Sequence, residues 1–352
     1  MTDPRVTIIV VPREQFSKAR ASLESIYAAT AVPFDLVYVD GNSPPALRQY
    51  LETQAAARRF TLVRTERYLT SNEARNIGAR YAGTPYIAFV DNDVFVQPGW
   101  LTSLLRCADE TGAAVVGPLY CFGADGASGE PVVVHTAGAE LRIVDDGGRR
   151  LHEVHRQVDR LVADVLPELR REPIDLVEFH CMLVRRELLG RTGALDEQLL
   201  SFYDHLDFCM AAREAGGSVY FEPASVVTQL VPPPLAWMDV PFFLLRWSNA
   251  WLEPSARHFA AKHGLAQDDK ELRDHIWFRN DHRRRMLAGP RRALRAVISE
   301  RMLRRVDKVM DRVVFGGVVE YLVARPMQRR RARAPAAEGT AAGVRTPAGA
   351  TP

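Results

Sequence analysis

From residue 6 to residue 117 short apolar runs alternate with amphipathic stretches of helical spacing. The runs 6–11, 34–39, 60–63, 86–90 and 113–117 predict strands, and 17–29, 46–57, 72–81 and 100–110 predict the helices between them. Runs that are apolar throughout, rather than at alternate positions, belong to strands covered on both faces. The rhythm therefore predicts a mostly parallel sheet flanked by helices, of the α/β class. Ligands of such sheets gather outside the carboxyl ends of the strands. Asp40, the segment from Asn72 to Asn76, and Asp91 to Asp93 all fall at or just beyond those ends, so polar residues far apart in sequence converge on one edge.

Between about 123 and 174 the pattern loosens into Gly- and charge-rich sequence, read as an insertion over that edge, with Asp145-Asp146-Gly147-Gly148 as a hairpin turn. Within it, His152-Glu153-Val154-His155 spaces its two histidines three apart rather than the four of a zinc-protease helix, and reads as a solvated helix. A strand over 176–184, a helix start at 185–189, a turn at Thr192-Gly193-Ala194, a helix over 202–215 and a strand over 218–221 follow, and Pro232-Pro233-Pro234 closes the unit. The division predicted is a domain over 1–232, a mostly helical extension over 233–333 and a disordered Ala/Gly/Thr/Pro-rich tail over 334–352.

Composition changes this picture little: 47% hydrophobic and 25% charged residues are those of an ordinary globular chain. The net charge of +3 conceals an Arg-rich C-terminal part, which is where an anionic partner belongs. No apolar run approaches the roughly 20 residues that span a bilayer. The opening MTDPRVTIIVVP lacks the layout of a secretion signal, so a cytoplasmic protein is expected. Cys107, Cys121, Cys181 and Cys209 form no Cys-x-x-Cys pair, which argues against a zinc knuckle and a disulfide framework and for buried small hydrophobes.

Asp91-Asn92-Asp93, directly behind the apolar run 86–90, places two carboxylates at a strand mouth. Hard divalent cations such as Mg²⁺ and Mn²⁺ take one or two carboxylates plus substrate phosphates, so this pair suits a metal-diphosphate site, although Asp also serves turns. On their own, Asp40-Gly41-Asn42-Ser43 reads as a turn and Arg75 as a solvated helix cation. His180 fits either a pocket lining or a satisfied core histidine.

Taken in order, Val10-Val11-Pro12, Leu23-Glu24-Ser25, Val37 to Ser43, Asn72-Glu73-Ala74-Arg75-Asn76-Ile77-Gly78, Phe89 to Asp93, Thr192 to Glu197 and Tyr203 to Cys209 resemble the family-2 glycosyltransferases of GT-A fold over roughly two thirds of the chain. The resemblance implies a GT-A fold and transfer of a sugar, with inversion, from a nucleotide-diphosphate donor to an acceptor hydroxyl of a glycan or lipid-linked molecule in surface-polysaccharide assembly. It implies a divalent cation, Mn²⁺ or Mg²⁺, on Asp91 and Asp93. The donor nucleotide would lie among Pro12, Glu14, Asp40, Asn72, Arg75 and Asp91. Asp40 would read the base edge, and Asn76 and Gly78 would let the helix start approach the nucleotide. No nucleic acid is implied as partner.

Three departures mark the chain. The late-helix signature, commonly Glu-Asp-x-Asp with its second member as base, reads Asp204-His205-Leu206-Asp207 here. Either Asp204 is the base or His205 serves with Asp204 orienting it; Asp204 is favoured because a histidine near phosphates tends to be protonated. Ser225 to Gln229 offers no histidine where many relatives close the metal site, and Arg13-Glu14-Gln15 replaces the usual first-loop pattern. A non-catalytic nucleotide-sugar or partner-binding module, or a nucleotidyltransferase, are the alternatives. Over 283–333, Leu294, Ile298, Met302, Val306, Met310 and Val313 recur among arginines, an amphipathic basic helix that either packs on the domain or holds the protein at an anionic membrane surface on the inner face of the cell membrane.

Overall fold

The computed structural model describes residues 3–123, 132–229, 235–266, 270–333 and 340–342. Its elements are β1 (Val6–Val11), α1 (Ala19–Ala29), β2 (Asp35–Gly41), α2 (Pro45–Arg58), β3 (Thr61–Thr65), α3 (Ser71–Ala79), β4 (Tyr86–Asp91), β5 (Val94–Val96), α4 (Trp100–Thr111), β6 (Val115–Phe122), β7 (Val133–Thr136), β8 (Ala139–Asp145), β9 (Arg149–His155), α5 (Val162–Val165), β10 (Glu172–Ile174), β11 (Cys181–Arg185), α6 (Arg186–Thr192), α7 (Asp204–Glu214) and β12 (Val219–Gln229). The C-terminal part adds α8 (Val240–Arg246), α9 (Asn249–His263), α10 (Lys270–Met286), α11 (Ala288–Arg295), α12 (Glu300–Val309), a stretch of wider π-helical turns (Met310–Ala324), α13 (Arg325–Arg333) and β13 (Thr340–Ala342).

Strands β3, β2, β1 and β4 run parallel in that spatial order, and the sheet continues through antiparallel β11 to β6, β12 and β10. The near-continuous apolar runs do cover both faces. In β1, Ile9 and Val11 join one core while Val6, Ile8 and Val10 join the other, and Ile87 and Phe89 of β4 part likewise from Tyr86, Ala88 and Val90. Because β11 runs against β4, its N-terminal end lies beside the C-terminal end of β4, with Cys181 opposite Val90. The strand thus carries the residues before Cys181 to the edge where the parallel strands end. All four cysteines are buried and free.

Gly78 serves packing. A Cβ there would lie 2.3 Å from Ile9 Cγ2, so the glycine lets α3 press against β1. The insertion departs from expectation in one respect. Asp145 to Gly148 turns the β8–β9 hairpin as read, but His152 to His155 is strand, not helix. Leu151, Glu153 and His155 alternate with the more exposed His152 and Val154, a period of two that the Glu-Val-His spacing obscured.

In the C-terminal region Leu303 and Phe315 turn inward, whereas Met302 and Val313 of the expected apolar stripe are exposed. Met302 lies on α12, which turns Leu303 and Asp307 inward instead, and the π-helical turns from Met310 onward shift the phase of the stripe at Val313. Buried Glu320 accepts the backbone N–H of Asn249 and Ala250, both at 2.8 Å, placing a carboxylate on the positive end of α9. Among the described residues no helix is long and apolar enough to cross a membrane. The Pro232–Pro234 stop and most of the predicted tail lie outside the described residues.

Candidate active site

The last residue of β4 is Asp91, and the turn behind it carries Asp93; both are buried. Asn92 locks that turn to the first loop, donating its N–H to Val11 O (2.9 Å) and accepting the Arg13 N–H on its side chain (2.9 Å). Helix α3 starts with a capping box between Thr70 and Glu73 that fixes its first turn, and so the position of Arg75. Arg75 has no solvent exposure. It donates to Asn72 Oδ1 (3.1 Å), Asp204 Oδ2 (2.7 Å) and Asp91 Oδ1 (3.2 Å), and its guanidinium lies 3.9 Å from the centre of the Phe179 ring. Three elements, α3, β4 and α7, meet on one buried cation.

Asp204 opens α7. Burial alone would raise its pKa, but the neighbouring His205 and the charge of Arg75 hold it well below the usual carboxylate range, so it is ionised. Burial opposes a charge on His205 too, yet the flanking carboxylates of Asp204 and Glu153 outweigh it and lift the imidazole to about 10. His205 Nδ1 stands 3.5 Å from Asp204 Oδ1 and Nε2 4.0 Å from Glu153 Oε1. At neutral pH His205 is therefore a cation between two carboxylates and holds no free lone pair for a proton.

Asp93 is the opposite case. Burial first, then the charges of Glu14 and Asp91, push its carboxyl up to about 7, and neither of its oxygens has a hydrogen-bond partner among the described residues. An orphaned buried carboxylate is costly, and a divalent cation relieves that cost, so the residues here fit one. Asp91 is already engaged: His180 Nδ1 lies 3.1 Å and Arg13 Nε 3.6 Å from its second oxygen. Glu14 faces Arg246 at 3.4 Å.

Other expected site residues lie differently. Asp40 closes its own turn, accepting from Ser43 N–H and Oγ (both 2.9 Å), and it also pairs with Arg64, apart from the carboxylate cluster. Pro12 is buried beside Gly41, where a Cβ would come within 3.0 Å of its ring. Asn72 links Arg75 to the Asp196 carbonyl (2.9 Å). Asp207 is taken by Lys262 and His263 of α9, both at 2.8 Å.

The structure adds residues that sequence reading passed over or left open. Glu178 and His180, two apart in the turn leading into β11, and His135 of β7 join the cluster, with Glu153 and His155 of β9. The alternation in 151–155 and the Glu-x-His spacing at 178–180 were the available signals. These side chains floor a cavity of about 490 Å³ that Arg13, Glu14, Asp204 and His205 also line. Aromatic residues of the C-terminal helices, among them Phe243, Trp247, Trp277 and Phe278, form part of its wall.

Residues 7–158 match the sequence model of Glycosyl transferase family 2, and the chain accordingly carries a domain of that glycosyltransferase family. It is 25% identical over 226 residues to the uncharacterized protein y4gI of Sinorhizobium fredii, covering 62% of this chain and 24% of that one. It is 28% identical over 154 residues to the pre-mycofactocin glycosyltransferase of Mycobacterium tuberculosis, covering 44% of this chain and 28% of the relative. The chain thus spans about a quarter of the length of these curated relatives. A crystal structure of GalNAc-T7 with UDP, GalNAc and Mn²⁺ superposes with a TM-score of 0.50 at 17% identity, covering 80% of this chain and 55% of that one. The likeness shows a GT-A fold.

The charge on His205 has a measurable consequence. Its folded value of about 10 lies above the ordinary 6.5, so its protonation contributes stability that is complete below about pH 6.5 and is lost as the pH rises through about 10. His205→Gln is expected to lower stability at pH 6 and to flatten the decline between pH 7 and 10 in urea denaturation. An unchanged alkaline slope would show that His205 is neutral in the folded protein.

Proposed function

We propose that this chain transfers a sugar from a nucleotide-diphosphate donor to a hydroxyl of a glycan or lipid-linked acceptor, with inversion at the anomeric carbon, in surface-polysaccharide assembly. The observation that carries the reading is the pairing of an unpartnered buried carboxylate, Asp93, with an ionised one, Asp204. They are joined through Asp91 and Arg75 at the sheet edge, and Asp204 lines the cavity.

In this reading Asp93, assisted by Asp91, holds Mn²⁺ or Mg²⁺, which when bound neutralises charge on the departing diphosphate. Pro12, Glu14, Asp40 and Asn72 frame the donor nucleotide, while Arg75 acts by positioning Asp91 and Asp204. The acceptor hydroxyl attacks the anomeric carbon from the face opposite the diphosphate. The new C–O bond forms as the bond to the diphosphate oxygen breaks, and the hydroxyl proton passes to Asp204. A carboxylate this acidic is a weak resting base, but it needs only to take a strengthening hydrogen bond as the hydroxyl loses its proton. His205 stays protonated and orients the Asp204 oxygen 3.5 Å away. The aromatic wall offers flat apolar surface to the acceptor.

Because GalNAc-T7 was solved with UDP and Mn²⁺, UDP-sugars with Mn²⁺ are the first donors to assay, by release of UDP. Asp204→Asn is expected to lower kcat by about 10²- to 10⁴-fold with donor affinity little changed. Near-normal turnover in Asp204→Asn together with a dead His205→Ala would exchange the two roles. Nucleotide-sugar binding without turnover in the wild type would favour the non-catalytic module.

We further infer that the C-terminal helices hold the protein at an anionic membrane, concentrating a lipid-linked acceptor. Val297, Met302, Val309, Val313 and Leu322 are exposed, the last at 72%, among the exposed basic residues Arg301, Arg304, Arg305, Lys308 and Arg312. Each basic side chain near such a surface contributes about 1 kcal/mol. Vesicles containing phosphatidylserine should co-sediment the protein at low salt and release it at high salt, and the triple change Arg301→Glu, Arg304→Glu, Arg305→Glu should abolish binding. Equal recovery with neutral vesicles, or no effect of the charge reversal, would remove the membrane role.

A further inference from the structure

Beside the Asp-x-Asp turn lies a second set of metal-ligating groups, supplied by different elements. His135 Nε2 stands 3.1 Å and His180 Nε2 2.9 Å from the same oxygen of Glu178, and one ligand atom from each of the three residues lies within 4.8 Å of the others. Ligands about 2.0–2.2 Å from one ion at tetrahedral angles stand roughly 3.3–3.6 Å apart, so a small inward or outward adjustment of these atoms accommodates an ion. Glu178 and His180 are two apart in the turn that leads into β11, and their side chains meet, with His180 Nε2 2.9 Å from Glu178 Oε2. The segment is anchored from behind, where the Tyr120 hydroxyl donates to the Glu178 and Cys181 carbonyls.

The outer contacts are those of a built metal site. His180 offers its other ring nitrogen, Nδ1, to Asp91 Oδ2 at 3.1 Å. A carboxylate there fixes the tautomer that carries the proton on Nδ1 and leaves the Nε2 lone pair for a cation, an arrangement typical of metal-bound histidine. The neighbouring His155 is excluded, because its Nε2 is 2.6 Å from Glu153 and its Nδ1 3.0 Å from Thr136 Oγ1. All three candidate ligands border the cavity, so an ion held by them keeps positions open to a bound anion or water.

We propose that His135, Glu178 and His180 form a site for one transition-metal ion of the Zn²⁺ or Co²⁺ class, separate from the Asp93 carboxylate. Two imidazoles and one carboxylate favour such borderline ions over Mg²⁺, which prefers oxygen ligands and near-octahedral geometry. The assignment stands whether or not the chain transfers sugar.

The test uses the full chain, freed of any affinity tag and stripped with a chelator, then titrated with Co²⁺, Zn²⁺ and Mg²⁺. Visible absorption of Co²⁺ and calorimetry are the readouts, and near-UV circular dichroism checks that each variant is folded. The expected result is one equivalent of Co²⁺ with visible bands, displaced by Zn²⁺ and not by Mg²⁺. Both His135→Gln and Glu178→Gln should weaken Co²⁺ binding at least tenfold, with Asp93→Asn leaving it in place. Absence of Co²⁺ and Zn²⁺ binding in the wild type would overturn the proposal. So would binding that persists in folded His135→Gln and Glu178→Gln but is lost in Asp93→Asn, which would place the ion on the Asp-x-Asp turn.

Discussion

The buried guanidinium of Arg75 is the constraint on which the site depends. A cation with no solvent exposure persists only when its charge is answered, and here Asp91, Asp204, Asn72 and the Phe179 ring answer it through the two terminal nitrogens and the guanidinium face. Removing one partner of such a buried pair typically costs about 3–5 kcal/mol, because the survivor is left charged in a poorly solvated place. The bond is also geometric: α3 comes from the first half of the sheet and α7 from far along the chain, and Arg75 sets the distance between the strand end that carries Asp91 and the helix that starts with Asp204.

Around this clamp the charges are arranged unequally. Arg75, His180 and Arg13 all bear on Asp91, and Arg75 and His205 bear on Asp204, so both carboxylates stay ionised. Asp93, by contrast, has no hydrogen-bond partner for either oxygen among the described residues, beside Glu14 and Asp91. Burial also pulls the Arg246 guanidinium down to about 10, with Arg13 nearby adding to the effect. Groups held at such cost tend to mark sites where a ligand completes the electrostatics, and the cavity walled by the C-terminal aromatics opens beside them.

Much of this was legible from the chain alone. The apolar runs and their spacing located the first strands and helices to within a few residues, since strands covered on both faces leave unbroken Val and Ile runs, as in β1 and β4. Asp91 and Asp93 were readable because they directly follow such a run. What sequence could not give were pairings made by chain reversal. His180 meets Asp91 only because β11 runs antiparallel to β4, and His135 and Glu153 arrive on strands of the insertion. Arg75 was readable as a site residue by its motif, but its inward turn onto two carboxylates depends on where α7 docks. Likewise, the stripe continued to Val313 assumed regular α-helical phase, which the π-helical turns after Val309 break.

The most direct test of the clamp is a double-mutant cycle on stability, with Arg75→Met, Asp204→Asn and the combined variant unfolded by urea at neutral pH. If Arg75 and Asp204 form one buried, mutually compensating pair, the combined variant should lose less than the sum of the single losses by at least about 1 kcal/mol. Additivity to within roughly 0.5 kcal/mol would contradict the account, because it would mean that the end of β4 and the start of α7 are held in place independently of that contact.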